Sequence, residues 1–207
     1  MDINEVIRSR RSVRHYSSIE IPLEVVEELL ELASWAPSAS NRQMWFFYAV
    51  HDPTTKEQIA QSIDDQVTQI ATWPQVTQLE NLDWLRRYSG FVREAPWVIV
   101  FCQEVSTNPF EQILKARRLT TDQIARWRPQ SGLQSVSAAI QNFLLAAAAR
   151  KLGAVWMVGP LFAVEAIEKI LELPTERRIV AIVPLGIPAE NPDPRPRKPI
   201  EKTWKVI

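Results

Sequence analysis

The sequence predicts an α+β sandwich, with helices on both faces of a mixed sheet. Three observations carry this. Apolar, aromatic and β-branched runs at WFFYAV (45–50), WVIVFC (97–102), AVWMV (154–158) and IVAIVPLGI (179–187) read as strands, the first two of them buried. Segments with apolar residues at spacings of three and four alternate with them. One such segment, from about Leu133 to Leu152, is apolar nearly all round and belongs at the centre of the fold.

The elements follow in order. Ile3, Val6 and Ile7 share one face of a short helix over 2–9. Pro22 suits the first position of the next helix, with Leu23, Val26, Leu30 and Ala33 inside, Glu24, Glu27, Glu28 and Glu31 outside, and Pro37 ending it. Thr54 with Glu57 predicts a capping box at the start of a helix whose stripe is Ile59, Ile63, Val67 and Ile70. Trp73-Pro74 breaks that helix, and LDWLRRYSGF suggests another. Residues 103–130 lack a sustained core period and form a candidate lid, within which ILKARRL and TDQIARW suggest short helices. The central helix closes on Arg150 and Lys151, with Gly153 as its expected cap, and 163–172 forms a helix ending before Pro174. Trp35, Trp45, Trp97 and Trp156 fall on core-like segments, and Cys102 is expected to be an inert apolar side chain at a strand end.

Five prolines punctuate residues 188–199, a path that spans roughly 35–40 Å in a polyproline conformation. It reads as an arm. Its end, EKTWKVI, alternates charged and apolar residues and suits addition to a neighbouring subunit's sheet. The expected organisation is one domain over 1–187 and an exchanged arm over 188–207.

Composition excludes several functions. The 24 basic and 24 acidic side chains cancel, which argues against a field that attracts nucleic acid. No apolar run approaches the ~20 residues that span a bilayer, and the opening lacks the apolar core of a secretion signal, so a cytoplasmic protein without a membrane role is expected. One cysteine excludes an internal disulfide, and two histidines, His15 and His51, argue against a metal centre or a histidine-driven triad. The five glycines form neither a dinucleotide fingerprint nor a P-loop. A bound phosphate would therefore rely on side-chain cations.

Three polar segments stand out against this background: RRSVR (10–14), PSASNRQ (37–43) and PRPRKP (194–199). With APSASNRQMW (36–45), GAVWMVG (153–159) and VAIVPLG (180–186), they occur in an order and spacing that resembles the FMN-dependent nitroreductase and flavin reductase family. The resemblance implies a mostly antiparallel sheet and a homodimer holding one FMN in each of two interfacial pockets. NAD(P)H would reduce the flavin, and a small organic acceptor would reoxidise it. Arg10, Ser12 and Arg14 would approach the ribityl phosphate and one flavin edge, with Arg11 acting more through its backbone than its charge. Arg195 and Arg197 would clamp the phosphate. Pro37, Ser38, Ala39, Asn41 and Gln43 would enter from the other subunit, and Val158 and Gly159 would offer backbone N–H groups near the flavin's reactive nitrogen. Arg8 is expected to be solvated.

The physical chemistry agrees. An FMN phosphate carries about two negative charges, matched by paired guanidinium donors. A fixed cation at Arg14 would favour the reduced flavin, and the scarcity of acid, base and nucleophile is explained if the cofactor supplies the chemistry. Phe110 or Trp127, in the lid-like stretch, is the candidate to stack on substrate. The sequence departs from the family at Met44 (usually proline), Ser135 and Val158 (acidic in some members), and residues 60–94 have no clear match.

Overall fold

The chain, represented by a computed structural model that describes residues 2–76, 82–105, 109–127 and 130–207, is organised by a four-stranded sheet. Strands β1 (Trp45–Val50), β2 (Trp97–Glu104), β3 (Gly153–Ala154) and β4 (Arg177–Gly186) lie in the order β1-β2-β4-β3, every neighbour antiparallel. A parallel bridge from Ser12 to Ala154 makes the sheet mixed. Strands β2 and β4 are covered on both faces, which is why they read as continuous apolar runs. WFFYAV does form a strand, but at the sheet edge, where only its terminal residues Trp45 and Val50 are buried.

AVWMV pairs far less than expected. Beyond β3 it makes one bridge, Met157 to Ile182, and a long 3.4 Å bond from Val155 N–H to the Pro184 carbonyl. Pro184 has no N–H to return a ladder bond, so regular pairing stops there.

The helices are α1 (Ile3–Ser9), α2 (Leu23–Ser34), α3 (Pro53–Ala71), α4 (Asp83–Glu94), α5 (Pro109–Ala116), α6 (Thr121–Trp127), α7 (Ser131–Ala149) and α8 (Val164–Ile170). Alternation along the strands separates two cores. Trp97, Ile99, Phe101, Ala181, Val183 and Leu185 face α2 and α7. Val98, Val100, Cys102 and Ile182 face α3, α4 and α8. Burial pushes the Cys102 thiol up to about 12, so it stays an uncharged packing group. No helix among the described residues is long and apolar enough to cross a membrane.

Several local expectations are corrected. The inner face of α2 is Val26, Leu29 and Ala33, while Leu23 is exposed and Leu30 half-buried. Pro22 sits one position before the helix. Trp35 is 77% exposed because it follows the last turn of α2 and points away from the core. Trp45 and Trp97 are buried, and Trp156 packs half-buried against the first core. Of the α1 stripe only Val6 is buried. Met44 is buried, so it contributes packing as well as loop stiffness.

The cap of α3 also differs. Asp52, not Thr54, accepts from Thr55 through both the backbone N–H and the hydroxyl at 2.7 Å, and Glu57 instead meets Arg93 of α4. These hydrogen bonds from Thr55 hold the Asp52 carboxyl below its usual range. A group depressed in this way stabilises the fold above the ordinary carboxylate range and loses that contribution as the solution is acidified through its folded pKa. Asp52→Ala is expected to lower the melting temperature at neutral pH by about 2–4 °C, read by circular dichroism. An unchanged transition would show that α3 does not depend on this cap.

Helix α7 ends in a Schellman motif. Lys151 has φ 60°, its N–H reaches the Ala148 carbonyl, and Leu152 N–H reaches Ala147. Gly153 is therefore not the cap. Its small size is needed because a Cβ there would lie 2.7 Å from the Val13 side chain. Helices α5 and α6 within the 103–130 stretch pack on each other, with residues 106–108 and 128–129 outside the described residues, as are 77–81 of the second weakly matched stretch.

Candidate functional site

The segment after α1 is threaded along the sheet edge. Val13 N–H donates to the Ala154 carbonyl at 3.2 Å, and Ser17 N–H donates to Ile187 at 2.9 Å. Ala189 N–H returns a bond to His15 at 3.0 Å, and Tyr16 bridges Pro188. The hydroxyl of the half-buried Tyr16 donates to the Val13 carbonyl at 2.7 Å and lies 3.3 Å from that of Pro184. These contacts set the start of the arm beside the N-terminal arginines, although nearly two hundred residues of sequence separate them.

The result is a cavity of about 550 Å³ lined by Ile7, Arg8, Arg10, Arg11, Ser12 and Arg14 from one end of the chain, and by residues 192–195 and Arg197 from the other. Six arginines line it, with Asp193 the one carboxylate among the lining residues. Burial, and then the neighbouring charges of Arg197 and Arg11, press the Arg10 guanidinium below its usual range. An anion placed here would relieve that repulsion. A volume of this order suits an organic ligand.

The arginines are not equivalent. Arg14 donates from Nη1 to the Ser12 carbonyl at 3.1 Å, and its guanidinium carbon lies 5.9 Å from the centroid of the Phe91 ring. Arg11 folds back to donate to the carbonyls of Arg8 at 2.7 Å and Arg10 at 2.9 Å, so its charge serves the end of α1. Arg8, expected to be merely solvated, lines the cavity.

The second predicted segment lies elsewhere in the same chain. Three residues without glycine's freedom take left-handed conformations: Ser40 (φ 55°), Asn41 (φ 50°) and Gln43 (φ 49°). Internal and tertiary hydrogen bonds hold them. Gln43 N–H donates to Ser38 Oγ at 2.9 Å, and Gln43 Nε2 to Asn41 Oδ1 at 3.3 Å. Ala39 N–H donates to the buried Ser135 Oγ at 3.3 Å, so the serine that replaces an acidic residue anchors this loop to α7. Pro37, Ala39, Asn41 and Gln43 are exposed, and Ser38 is half-buried. The anchor is near the start of α7, whereas Arg10 and Arg11 lie against Leu144, Ala148 and Leu152 at its other end. Thirteen residues of helix from Ser135 to Ala148 separate the two by roughly 20 Å. Within one chain the loop does not line the arginine cavity.

Val158 is exposed and Gly159 starts a tight helical turn. A Cβ on Gly159 would run into the Tyr88 ring of α4. Tyr88 meets Phe91 edge to face at 6.4 Å, and Phe91 meets both Arg14 and His15. Helix α4 thus links Gly159 to the arginine segment, a contribution that the unmatched stretch 60–94 gave no basis to expect. Phe110 and Trp127 are exposed on α5 and α6 and do not line the cavity.

Comparison with known proteins identifies the family and the fold. The profile of the nitroreductase family matches residues 7–187, and the chain belongs to that family. It is 31% identical over 208 residues to an NADH dehydrogenase of Thermus thermophilus, covering 99% of this chain and 97% of that protein. A BluB-like flavoprotein from Clostridium difficile 630 superposes with a TM-score of 0.83 at 26% identity, covering 100% of this chain and 99% of that one. The fold is also that of oxidized iodotyrosine deiodinase bound to FMN and 3-iodo-L-tyrosine, at a TM-score of 0.72 and 24% identity over 99% of this chain and 96% of that one.

Proposed function

We propose that the chain is an FMN-dependent oxidoreductase that passes electrons from NAD(P)H to an organic acceptor such as a nitroaromatic, a quinone or a flavin, the two substrates taking turns at one site. The observation that carries this reading is the convergence of Arg10, Arg14, Arg195 and Arg197 on one cavity in a chain without a phosphate-binding glycine loop. The donor set fits a flavin mononucleotide, whose doubly charged phosphate would be bound by Arg195 and Arg197, with Arg10 and Ser12 along the ribityl phosphate. FMN supplies the hydride and electron chemistry when bound. Arg14, oriented by the Ser12 carbonyl and the Phe91 face, would hold a positive charge by the pyrimidine side of the cofactor, where reduction makes it negative. Val158 and Gly159 would offer backbone N–H groups near the flavin's reactive nitrogen.

The same reading requires a homodimer. Pro37, Ser38, Ala39, Asn41 and Gln43 lie too far from the cavity of their own chain to serve it, which supports their entry from a second copy. Exposed Ile200, Trp204 and Val206 on the arm support its exchange with that copy. Phe110 or Trp127 would then stack on the acceptor. A second reading is dehalogenation or flavin fragmentation on the same fold, and the first of these is favoured by 30% identity over 188 residues to an iodotyrosine deiodinase of Haliscomenobacter hydrossis.

The purified protein is expected to take up FMN, and stopped-flow mixing with NADH or NADPH is expected to bleach the flavin. If neither nicotinamide reduces it at high concentration, the reductase reading is overturned. A panel of acceptors that includes 3-iodo-L-tyrosine separates the two enzymatic readings.

A further inference from the structure

Glu190 lies beside the arginine cluster, yet among the described residues it pairs with no guanidinium. Its Oε1 accepts instead from the backbone N–H of Arg14 at 2.6 Å and of His15 at 3.3 Å. A carboxylate among arginines would ordinarily be drawn into a side-chain ion pair. Here its acceptor capacity goes to the main chain, and no guanidinium that lines the cavity is drawn onto it among the described residues.

The position of these bonds explains their effect. Residues 15–17 and 187–189 run together through Ser17 N–H to Ile187, the Tyr16–Pro188 bridge and Ala189 N–H to His15. Glu190 is the next residue, where the two segments part. One continues back to Ser12 and Arg10, and the other enters residues 192–197, so both walls of the cavity lie beyond this point, with no backbone hydrogen bond between them among the described residues. Repulsion among the guanidinium groups favours opening it.

We propose that Glu190 is a positioning residue that latches the arm to the Arg14 backbone and holds the two arginine walls at the separation that binds the cofactor phosphate. The proposal rests on the FMN reading and adds to it a residue that touches neither flavin nor substrate. A carboxylate to N–H bond that closes the last rung before two chain segments diverge restricts the approach of every residue beyond it. Its removal is therefore read at a distance, in the ligand affinity of Arg195 and Arg197.

The test uses Glu190→Ala and Glu190→Gln in the full chain, by FMN titration and by amide hydrogen exchange on the cofactor-free protein. Glu190→Ala is expected to weaken FMN binding roughly tenfold and to speed exchange at Arg14 and His15 by a similar factor, while amides of β4 keep their protection. Glu190→Gln retains an oxygen acceptor for Arg14 N–H and is expected to restore affinity to within about threefold of the native chain. Native affinity and native exchange in Glu190→Ala overturn the proposal. So does a Gln variant as weak as the Ala variant, since the carboxylate would then act through its charge. If the native protein takes up no FMN, the cofactor reading falls, while exchange at Arg14 and His15 still decides whether Glu190 holds the segment.

Discussion

Replacing Phe101 with alanine is expected to destabilise the protein by about 3–5 kcal/mol, measured as a shift of the urea unfolding midpoint. Phe101 is fully buried on β2 and sits between Phe47 of β1 and Phe143 of α7, with ring centroids 5.1 and 5.4 Å away, both edge to face. The substitution would remove the ring that joins the edge strand, the central strand and the central helix. It also lies at the register shift between Phe101 and Cys102, where Val180 of β4 is the extra residue, so little rearrangement is open to fill the space. A loss below about 1 kcal/mol would mean that α7 collapses onto the sheet and that the aromatic layer is dispensable.

Arg197→Ala is expected to raise the dissociation constant for FMN by roughly 10- to 100-fold, the cost of a charge-assisted phosphate contact. Titration of the cofactor-free protein reads it, and an unchanged elution volume would show that assembly is intact. The reasoning is electrostatic. Arg197 is close enough to press on the Arg10 guanidinium, and two cations held together in the free protein gain most from a shared dianion. Unchanged affinity would place the phosphate elsewhere. Arg11 is the useful contrast, because its guanidinium already serves the carbonyls of Arg8 and Arg10.

Much of the fold was legible because burial writes itself into periodicity. β2, β4 and α7 are covered on two or more sides and must be apolar there, whatever covers them. Choices decided by neighbours were not legible. Trp35 looked like a core residue from its composition alone, and its exposure follows from the point at which α2 stops. Two acceptors compatible with a cap stood near the start of α3, and the backbone turn selected Asp52. The candidate site divides the same way: the arginines and the loop at 37–43 announced themselves through residue type, whereas Glu190, Tyr88 and Phe91 are ordinary residues made significant by what they touch.

By itself, then, the sequence determined the kinds of groups available: guanidinium donors at both ends of a chain with few glycines, and apolar runs long enough for a sizeable core. These are properties of side chains and their spacing, and they survive without a neighbour. Only the tertiary structure decided that RRSVR and PRPRKP share one cavity, that the 37–43 loop lies about 20 Å along α7 from it, and that Glu190 closes the junction. Such contacts depend on where the sheet edge brings distant segments together, and no local pattern encodes that distance.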